Sequence, residues 1–448
     1  MRALSTLAAL AGAGLLFWGV PGSGYVVAWP ALATAKRDVR VYDNFGDPQA
    51  DDDTTPDARW PGWTGAPRAI WKGAAEWGSR LHGTGGGDPT QPDGLGSGGA
   101  NLDPLFLGLA PGVGAPNDDV ASELNGSNAA VIAFTELPPN DGWRVRFYAN
   151  PWILDDDSSG PAVGAVDLQG VFTHEYGHCL GLDHSSVPGC TMEAAPPSTL
   201  DIRSIEADDI AGVQAIYGVA AAGKPEVRAL TLSGGQLTLL GSGFGNSVDI
   251  EFLGASTSAT PATAGGSLVQ LGLPAGAQAG DLRLALASGP AGGAGVSNAY
   301  PLDPSGCPPP STYGLGKPNS QGCLPAITHS GSPSASAGSG FLISAANVLN
   351  HKLGLLIYSH QPAAIPFQGG TLWLGGPIKR TAGQDSGGSS MGSNCSGLLG
   401  FDFNVRIASG VDPTLVAGSA VYAQYIYRDP LGSFGWGLSD ALAFTICP

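Results

Sequence analysis

The sequence predicts a multidomain protein in which an α+β domain is followed by two all-β sandwich domains. Its 448 residues suggest more than one domain, since a domain commonly takes roughly 100–200 residues. Apolar residues recur at helical spacing before residue 218, whereas short β-prone runs separated by turn residues follow it. Only 13% of residues are charged, and the 70 glycines and 36 prolines favour short strands joined by many turns.

The N-terminus is typical of a secretory signal peptide, predicted at residues 1–24. Arg2 is followed by an apolar run from Ala3 to Val20 and then by Pro21-Gly22-Ser23-Gly24, which is the order found in secretory signals. A membrane anchor is the alternative, although the run is short for a membrane span. No later stretch of sequence is long and apolar enough to cross a bilayer, so we expect no membrane span in the mature chain.

Residues 25–218 contain the pattern of a domain with helices and strands. Ile70, Ala74, Trp77 and Leu81 recur at helical spacing after Pro67, a residue favoured in the first turn of a helix. This spacing predicts a long helix that packs on a sheet. The β-prone runs predict strands at Val39 to Tyr42, Ala130 to Phe134 and Val145 to Tyr148. The glycine-, proline- and asparagine-rich stretch from 83 to 128 predicts long loops.

A metal-binding motif, H-E-Y-G-H-C-L-G-L-D-H, occupies residues 174–184. On a helix, His174 and His178 project from one face, where two imidazoles can bind one cation. Gly181 permits a sharp turn out of the helix, which brings His184 round as a third nitrogen ligand. Three protein ligands leave one coordination position open for water, which is the arrangement of a catalytic rather than a structural zinc site.

The motif, the Ser185 that follows it and Met192 together resemble the metzincin metalloproteases, and the serine is the pattern of the matrixins among them. Residues 166–173, V-D-L-Q-G-V-F-T, and 208–218, D-D-I-A-G-V-Q-A-I-Y-G, are similar to the matrixin segments that lead into the active-site helix and form the closing helix. The resemblance covers about residues 25–218. It implies a mixed sheet with long helices, and a turn at Met192 that forms a hydrophobic floor beneath the metal.

The resemblance and the residue types predict a zinc-dependent endopeptidase with one catalytic zinc ion. Zinc lowers the pKa of bound water, while Glu175 takes the proton of that water and later gives it to the leaving amine. We expect protein or peptide substrates outside the cell. The alternative is an extracellular binding or adhesion protein with an idle metzincin domain, whose C-terminal modules bind a matrix or cell-surface polymer. A zinc hydrolase of non-protein amides is a further alternative.

The chain departs from the matrixin pattern in several places. No cysteine precedes Cys179, so the propeptide thiolate that blocks the zinc of a latent matrixin has no counterpart. The residues after Met192 differ from the proline and tyrosine of the family, so pocket preference cannot be transferred. His82 is the only histidine before the motif, so a second, structural zinc lacks a histidine set. The aspartates at 155–157 offer ligands for calcium, but a solvated acidic loop is the favoured interpretation.

The six cysteines support export, because disulfides persist in oxidising compartments. The preferred pairing joins neighbours in the chain, so that each bond closes a loop within one domain. It consists of Cys179 with Cys190, Cys307 with Cys323, and Cys395 with Cys447. The first bond would fasten the active-site helix to the Met192 turn. A free thiol or a zinc ligand at Cys190 is the alternative, which is less favoured because three histidines already fill the protein's share of the coordination.

The C-terminal half predicts two β-sandwich domains after a linker at 220–225. Residues 224–303 carry short β-prone runs, and the segments 239–245, 280–284 and 297–299 resemble immunoglobulin-like IPT/TIG domains, which act as spacers or binding modules. Residues 304–448 predict a second sandwich module of unknown function. Its aromatic residues are expected in the core, with a sugar- or protein-binding face as the alternative: Trp373, Tyr422, Tyr425, Tyr427 and Trp436.

The charge of the chain excludes some classes of partner. A net charge of −17 and a pI near 4.6 argue against nucleic acid or an anionic membrane surface as the ligand.

Overall fold

The chain packs into two compact units. The computed structural model describes residues 24–84, 88–128, 130–137, 141–196, 198–262, 266–290, 292–304 and 307–448. The first unit holds the described residues up to Pro225 with Asp249–Thr257 and Gly276–Asp303, and the second holds Glu226–Val248, Ser258–Ala275 and Pro304–Pro448. Apart from Gly24, the predicted signal peptide lies outside the described residues.

The helices and strands are bounded as follows. The α-helices are α1 (Gly65–Glu76), α2 (Leu168–Cys179), α3 (Ala207–Tyr217) and α4 (Phe403–Ala408). The strands before residue 218 are β1 (Val26–Val27), β2 (Val39–Tyr42), β3 (Phe106–Leu109), β4 (Val120–Ser127), β5 (Ala133–Glu136), β6 (Arg144–Asn150), β7 (Leu154–Asp155), β8 (Val166–Asp167) and β9 (Leu182–Asp183).

The strands after residue 218 are β10 (Glu226–Ser233), β11 (Gln236–Ser242), β12 (Val248–Phe252), β13 (Ala255–Ala259), β14 (Leu268–Gly272), β15 (Gly280–Leu286), β16 (Tyr300–Leu302), β17 (Ser311–Tyr313), β18 (Ala326–Ser330), β19 (Leu342–Val348), β20 (Leu353–Ser359), β21 (Pro362–Phe367), β22 (Gly370–Leu374), β23 (Lys379–Arg380), β24 (Gln384–Asp385), β25 (Gly397–Asp402), β26 (Ala420–Arg428) and β27 (Trp436–Thr445). Among the described residues, none of the helices has both the length and the apolar character needed to cross a bilayer.

A five-stranded sheet forms one layer of the first unit, in the order β3-β2-β4-β6-β5. β5 runs antiparallel to β6, and the other neighbours are parallel. The predicted strands at 39–42 and 145–148 are confirmed, and the one predicted at 130–134 is β5. The prediction of loops throughout 83–128 is wrong, because β3 and β4 lie there. β4 has the weakly β-prone sequence V-A-S-E-L-N-G-S, and its pairing with strands on both sides outweighs that local preference.

Helix α1 packs against helix α2. The predicted helix is present, but it ends at Glu76 and leaves Leu81 outside it, with 46% of its surface exposed. A side-chain carbon at Gly73 would lie about 3.0 Å from atoms of Gln169 and Thr173, so glycine permits the close approach of the two helices. The Trp77 indole then donates to Thr173 O at 3.0 Å.

Residues from β15 complete the core of the first unit. Arg283 donates to Asp38 Oδ1 at 2.6 Å and to Asp103 O at 2.8 Å, and all three residues are buried. Asp281 accepts from the Trp71 indole at 2.7 Å, and its other oxygen lies 2.7 Å from His82 Nε2. The strands of the predicted 224–303 sandwich are divided between the two units. The sheet β13-β12-β15-β16 lies largely in the first unit, and the sheet β10-β11-β14 lies in the second. The predicted domain boundaries and the IPT/TIG resemblance stay predictions.

Three β-layers build the second unit. The sheet β17-β27-β26-β20-β23, with β24 beside β20, covers the sheet β18-β19-β25 across an aromatic core that includes Phe341, Tyr425 and Phe444. On its other face, Tyr422 belongs to a cluster with Leu240 and Leu268 of the sheet β10-β11-β14. Tyr422, Tyr425 and Tyr427 are buried, as the core interpretation predicts, whereas Trp373 and Trp436 are partly exposed.

The disulfides of the second unit differ from the predicted pairs. Cys307 is bonded to Cys447 and Cys323 to Cys395, so the predictions of Cys307 with Cys323 and of Cys395 with Cys447 are wrong. Strand register explains the first bond: Ser311 pairs with Ala443, and the same antiparallel register places 307 opposite 447. For the second bond, Cys323 precedes β18 and Cys395 precedes β25. Both strands run antiparallel to β19, which lies between them, so their starting ends lie on the same side of the sheet.

A buried ion-pair network holds the start of α2. Asp167 caps the helix by accepting from Gly170 N at 2.8 Å, and Arg203 donates to both carboxylate oxygens of Asp167 at 2.8 and 2.6 Å. The same guanidinium lies 3.2 Å from Asp88 and donates to Asp157 O at 2.7 Å. Arg203 is 1% exposed, so these contacts satisfy its charge away from water.

We expect Arg203→Met to lower the free energy of unfolding of the first unit by about 3–5 kcal/mol, because Asp167 is left buried without its cationic partner. Urea unfolding followed by tryptophan fluorescence measures the loss, since only Trp373 and Trp436 among the tryptophans follow residue 152. As a control, Arg59→Met breaks a partly exposed pair with Asp57 and should cost less than about 1 kcal/mol. Equal effects of the two substitutions would contradict this role of Arg203.

Candidate metal centre

The structure brings His174, His178 and His184 together. His174 and His178 lie one turn apart on α2, and Gly181 turns the chain with a φ of 109° so that His184 returns to the same side. The ring centroids are 4.9, 5.3 and 4.8 Å apart, and one nitrogen from each ring lies within 4.8 Å of the other two. Three imidazoles at this separation suit a single cation.

Hydrogen bonds set the orientation of the two rings on the helix. His174 Nδ1 lies 2.6 Å from Thr191 O, and His178 Nδ1 lies 2.8 Å from Leu182 O. A carbonyl only accepts, so each Nδ1 carries the proton and each Nε2 keeps its lone pair. Burial lowers the pKa of all three histidines, that of His184 to about 4. The rings are therefore neutral near pH 7, in the form that binds a metal.

Glu175 is buried beside these ligands, and Thr135 of strand β5 holds it. The Thr135 hydroxyl lies 2.8 Å from Glu175 Oε2 and 2.9 Å from the carbonyl oxygen of the same residue. Burial raises the pKa of Glu175 to about 7, against the opposing effect of that hydrogen bond. A carboxyl group with a pKa near neutrality can both take up and release a proton in the working pH range.

Met192 lies directly against α2. A side-chain carbon at Gly177 would lie 2.3 Å from Met192 Sδ, so the contact requires glycine between the two helical histidines. Asp209 of α3 accepts from Thr191 N at 2.8 Å and from Met192 N at 3.0 Å. The carboxylate thus fixes the turn whose carbonyl orients His174.

The turn carries no disulfide. Cys179 and Cys190 are free, buried thiols, so the predicted bond between them is wrong. Cys179 Sγ lies 3.9 Å from Thr135 Oγ1, whereas Cys190 Sγ lies 3.0 Å from Val187 O. The two sulfur atoms face different neighbours, and the hydrogen bonds of Asp209 hold the turn instead.

A second group of possible metal ligands lies in the first unit. One carboxylate oxygen each from Asp52, Asp155 and Asp156 lies within 4.8 Å of the others. Asp155 and Asp156 are buried, so the expectation of a solvated acidic loop is wrong for them, while Asp157 is partly exposed. Asp156 Oδ2 is buried without a hydrogen-bond partner.

Three residues of these sites were missed in the sequence. Thr135 lies 40 positions before Glu175, and no local pattern connects a threonine on a strand with a helix so distant in the chain. Asp52 joins Asp155 and Asp156 across a much longer stretch of chain. Asp209 stands in the segment 208–218 that resembles the closing helix of the matrixins, and its contact with the Met192 turn depends on tertiary packing.

The part of the chain that contains the three histidines is similar to known proteins. Residues 118–218 match the matrixin family. The metalloendoproteinase 1-MMP of Arabidopsis thaliana is 46% identical over 81 residues, which are 18% of this chain and 22% of that protein. Metalloendoproteinase 5-MMP from the same plant is 43% identical over 114 residues, 25% of this chain and 30% of that protein. Matrilysin of Mus musculus is 39% identical over 83 residues, 18% and 29% of the two chains.

The chain thus spans less than a third of the length of these relatives. Among solved structures, the human OSCAR ligand-binding domain covers 49% of this chain and 95% of its own at 13% identity, and its TM-score of 0.14 carries no information on the fold. The three histidines and Glu175 lie within residues 118–218, the segment that is similar to the matrixin family.

We expect the purified chain to bind one zinc ion, and His178→Ala to lose it on dialysis, because two imidazoles hold zinc far more weakly than three. Elemental analysis of the dialysed protein measures the metal. His351→Ala is the matched control, since this histidine lies in the second unit and half of its side chain is exposed. Retention of a full equivalent of zinc by the His178→Ala protein would contradict the assignment of the ligands.

Proposed function

We propose that the chain is a secreted zinc endopeptidase that hydrolyses peptide bonds of proteins outside the cell. The observation that carries the proposal is the convergence of three imidazoles, each with one ring nitrogen within 4.8 Å of the other two. A buried carboxylate, Glu175, follows His174 directly in helix α2. The matrixin match over residues 118–218 supports the same chemistry.

His174, His178 and His184 are the residues that would hold the zinc ion. When bound there, zinc supplies Lewis-acid polarisation of the scissile carbonyl and of a water molecule. The protein's part is to keep the three rings neutral and correctly turned. It does so through burial and through the carbonyls of Thr191 and Leu182.

Glu175 moves the proton. Its carboxylate takes a proton from the attacking water and gives it to the leaving amine, and a pKa near 7 keeps both protonation states accessible at neutral pH. Thr135 binds Oε2, which leaves Oε1 available to carry the proton. Strand β5 therefore positions the proposed base through Thr135.

Strand β5 also offers a surface for the substrate. Among the strands that the structure describes, it lies at the edge of its sheet with β6 as its neighbour, and Thr135 connects it to Glu175. An extended peptide that pairs with this edge by main-chain hydrogen bonds would pass the carboxylate. This mode of binding needs little side-chain specificity, which fits a general endopeptidase.

The rival function, a binding protein with an idle metzincin domain, gains no support from the site. All three histidines, Glu175 and its hydrogen-bond partner Thr135 are present and in contact or close together. Secretion follows in this proposal from the predicted signal peptide at 1–24 and from two disulfides.

We further propose that Asp52, Asp155 and Asp156 hold a calcium ion beside the catalytic region. Burial raises the pKa of Asp156 to about 7, and the neighbouring charges of Asp53 and Asp52 add to the effect. A hard divalent cation would bind the unpartnered Oδ2 of Asp156 and neutralise this group of like charges.

Glu175→Gln should lower the rate of cleavage of an unfolded protein substrate by roughly 10²–10⁴-fold, because the glutamine side chain cannot accept the proton. The comparison uses the chain from residue 25 onward at matched zinc content, with cleavage followed by release of new amino termini. Glu193→Gln is the control, since that carboxylate accepts from Gly189 N on a partly exposed loop, and it should cleave near the parent rate. Full activity of Glu175→Gln would refute the assigned role.

Calcium added to the zinc-loaded chain should raise the melting temperature of the first unit by a few degrees, because it binds the folded acidic group and not the unfolded chain. Tryptophan fluorescence measures the shift, with magnesium as the ion control. Asp156→Asn should abolish the response, whereas Asp93→Asn, at an exposed position, should keep it. No shift in the parent protein would exclude the calcium site while leaving the peptidase proposal intact.

A further inference from the structure

We propose that a polar pocket in the second unit binds a neutral saccharide. This site, here called the sheet pocket, has a volume of about 370 Å³, within the range of small-ligand sites, about 300–1,000 Å³. The lining residues that a ligand would contact include Ser233, Gln236, Gln270, His360, Gln361 and Thr414. The site lies outside the matrixin domain and does not depend on the proposed peptidase activity.

One wall of the sheet pocket is half of a sheet face. Alternate residues of β10, β11 and β14 point to one side, and Thr231 pairs with Thr238, which in turn pairs with Gln270. Further along the same face, Leu240 and Leu268 pack into an apolar cluster with Tyr422. This face of the sheet β10-β11-β14 is therefore apolar near Tyr422 of β26 and polar beyond it. Polar residues at the end of a buried face are unexpected for pure core packing.

The chemistry of the lining selects a neutral hydroxylated ligand. Its side chains are hydroxyls, carboxamides and one imidazole, and among the described lining residues there is no carboxylate, ammonium or guanidinium group. Hydroxyl and carboxamide groups both donate and accept hydrogen bonds, as sugar hydroxyls do. An anionic ligand would require cations, and an apolar peptide side chain would require an apolar wall.

Part of the wall is fixed in advance. His360 Nδ1 lies 2.7 Å from Ala420 O, and its Nε2 lies 2.8 Å from Thr414 Oγ1. Thr414 donates to the buried Asp412 at 2.6 Å, and that carboxylate also accepts from Tyr358 OH at 2.9 Å. Groups that are held by such a network lose little freedom when a ligand binds.

Other groups of the wall are available to a ligand. In the part of the chain that the structure describes, the side chains of Ser233, Gln236 and Gln361 make no hydrogen bond. Gln270 donates to Thr238 Oγ1 at 3.3 Å, and its carbonyl oxygen is left to accept. Three available side chains beside a fixed imidazole and hydroxyl can address several hydroxyls of one sugar ring.

The test is titration of the full chain, with Glu175→Gln to prevent proteolysis, with the neutral disaccharides maltose, cellobiose, lactose and N,N′-diacetylchitobiose. Calorimetry gives the Kd, and saturation-transfer NMR detects weak binding. The double variant Gln236→Ala/Gln361→Ala should weaken binding by roughly tenfold or more, because two hydrogen bonds are lost. Gln321→Ala, an exposed glutamine outside the pocket, should bind as the parent does.

A second variant, Ser233→Trp, fills the sheet pocket from a partly exposed position and should abolish binding while the melting temperature stays near that of the parent. Binding by the parent that both pocket variants lose supports the proposal. Failure of all four sugars to bind would overturn it, as would equal binding by the parent and the pocket variants. Binding of a hyaluronan tetrasaccharide, but of no neutral sugar, would overturn the assignment of a neutral ligand.

Discussion

The candidate metal centre depends on two hydrogen bonds from imidazole Nδ1 atoms to backbone carbonyls, those of His174 to Thr191 and of His178 to Leu182. They fix the tautomer of each ring, and so they decide which nitrogen faces the metal. Both acceptors belong to the chain after α2. The rings of His174 and His178 therefore have the right orientation only when the segment after the helix is folded. Asp209 of α3 holds the Thr191–Met192 part of that segment.

Buried charges add to the apolar packing that supports α2, whereas an aromatic core lies at the centre of the second unit. Arg203 and Asp167 stabilise the start of the helix, and Asp209 stabilises the turn beneath it, all of them buried. Such groups restrict the positions of their partners more narrowly than apolar contacts do, since a misplaced partner leaves a charge without compensation. A metal centre requires ligands that are held precisely by their surroundings, and these buried groups lie at both ends of the ligand-bearing segment.

The sequence predicted the features that are encoded by local spacing. The three histidines, Glu175, helix α1 and the strands β2 and β6 follow from spacing within a few residues, and the structure has the histidines together. The features set by tertiary pairing were missed. Thr135 reaches Glu175 because β5 lies at a sheet edge beside α2, and β4 is a strand because it has partners on both sides. The cysteine pairs follow strand register in the second unit, which no count of cysteines reveals.

The position of β15 has a consequence for biosynthesis. The chain emerges from the ribosome N-terminus first, yet Arg283 and Asp281 supply the partners of Asp38, His82 and Trp71 in the first unit. A nascent chain that has reached only residue 225 carries every proposed catalytic group but lacks the side chains that satisfy these buried polar atoms. During synthesis, these buried groups therefore stay without their partners until β15 has also been made.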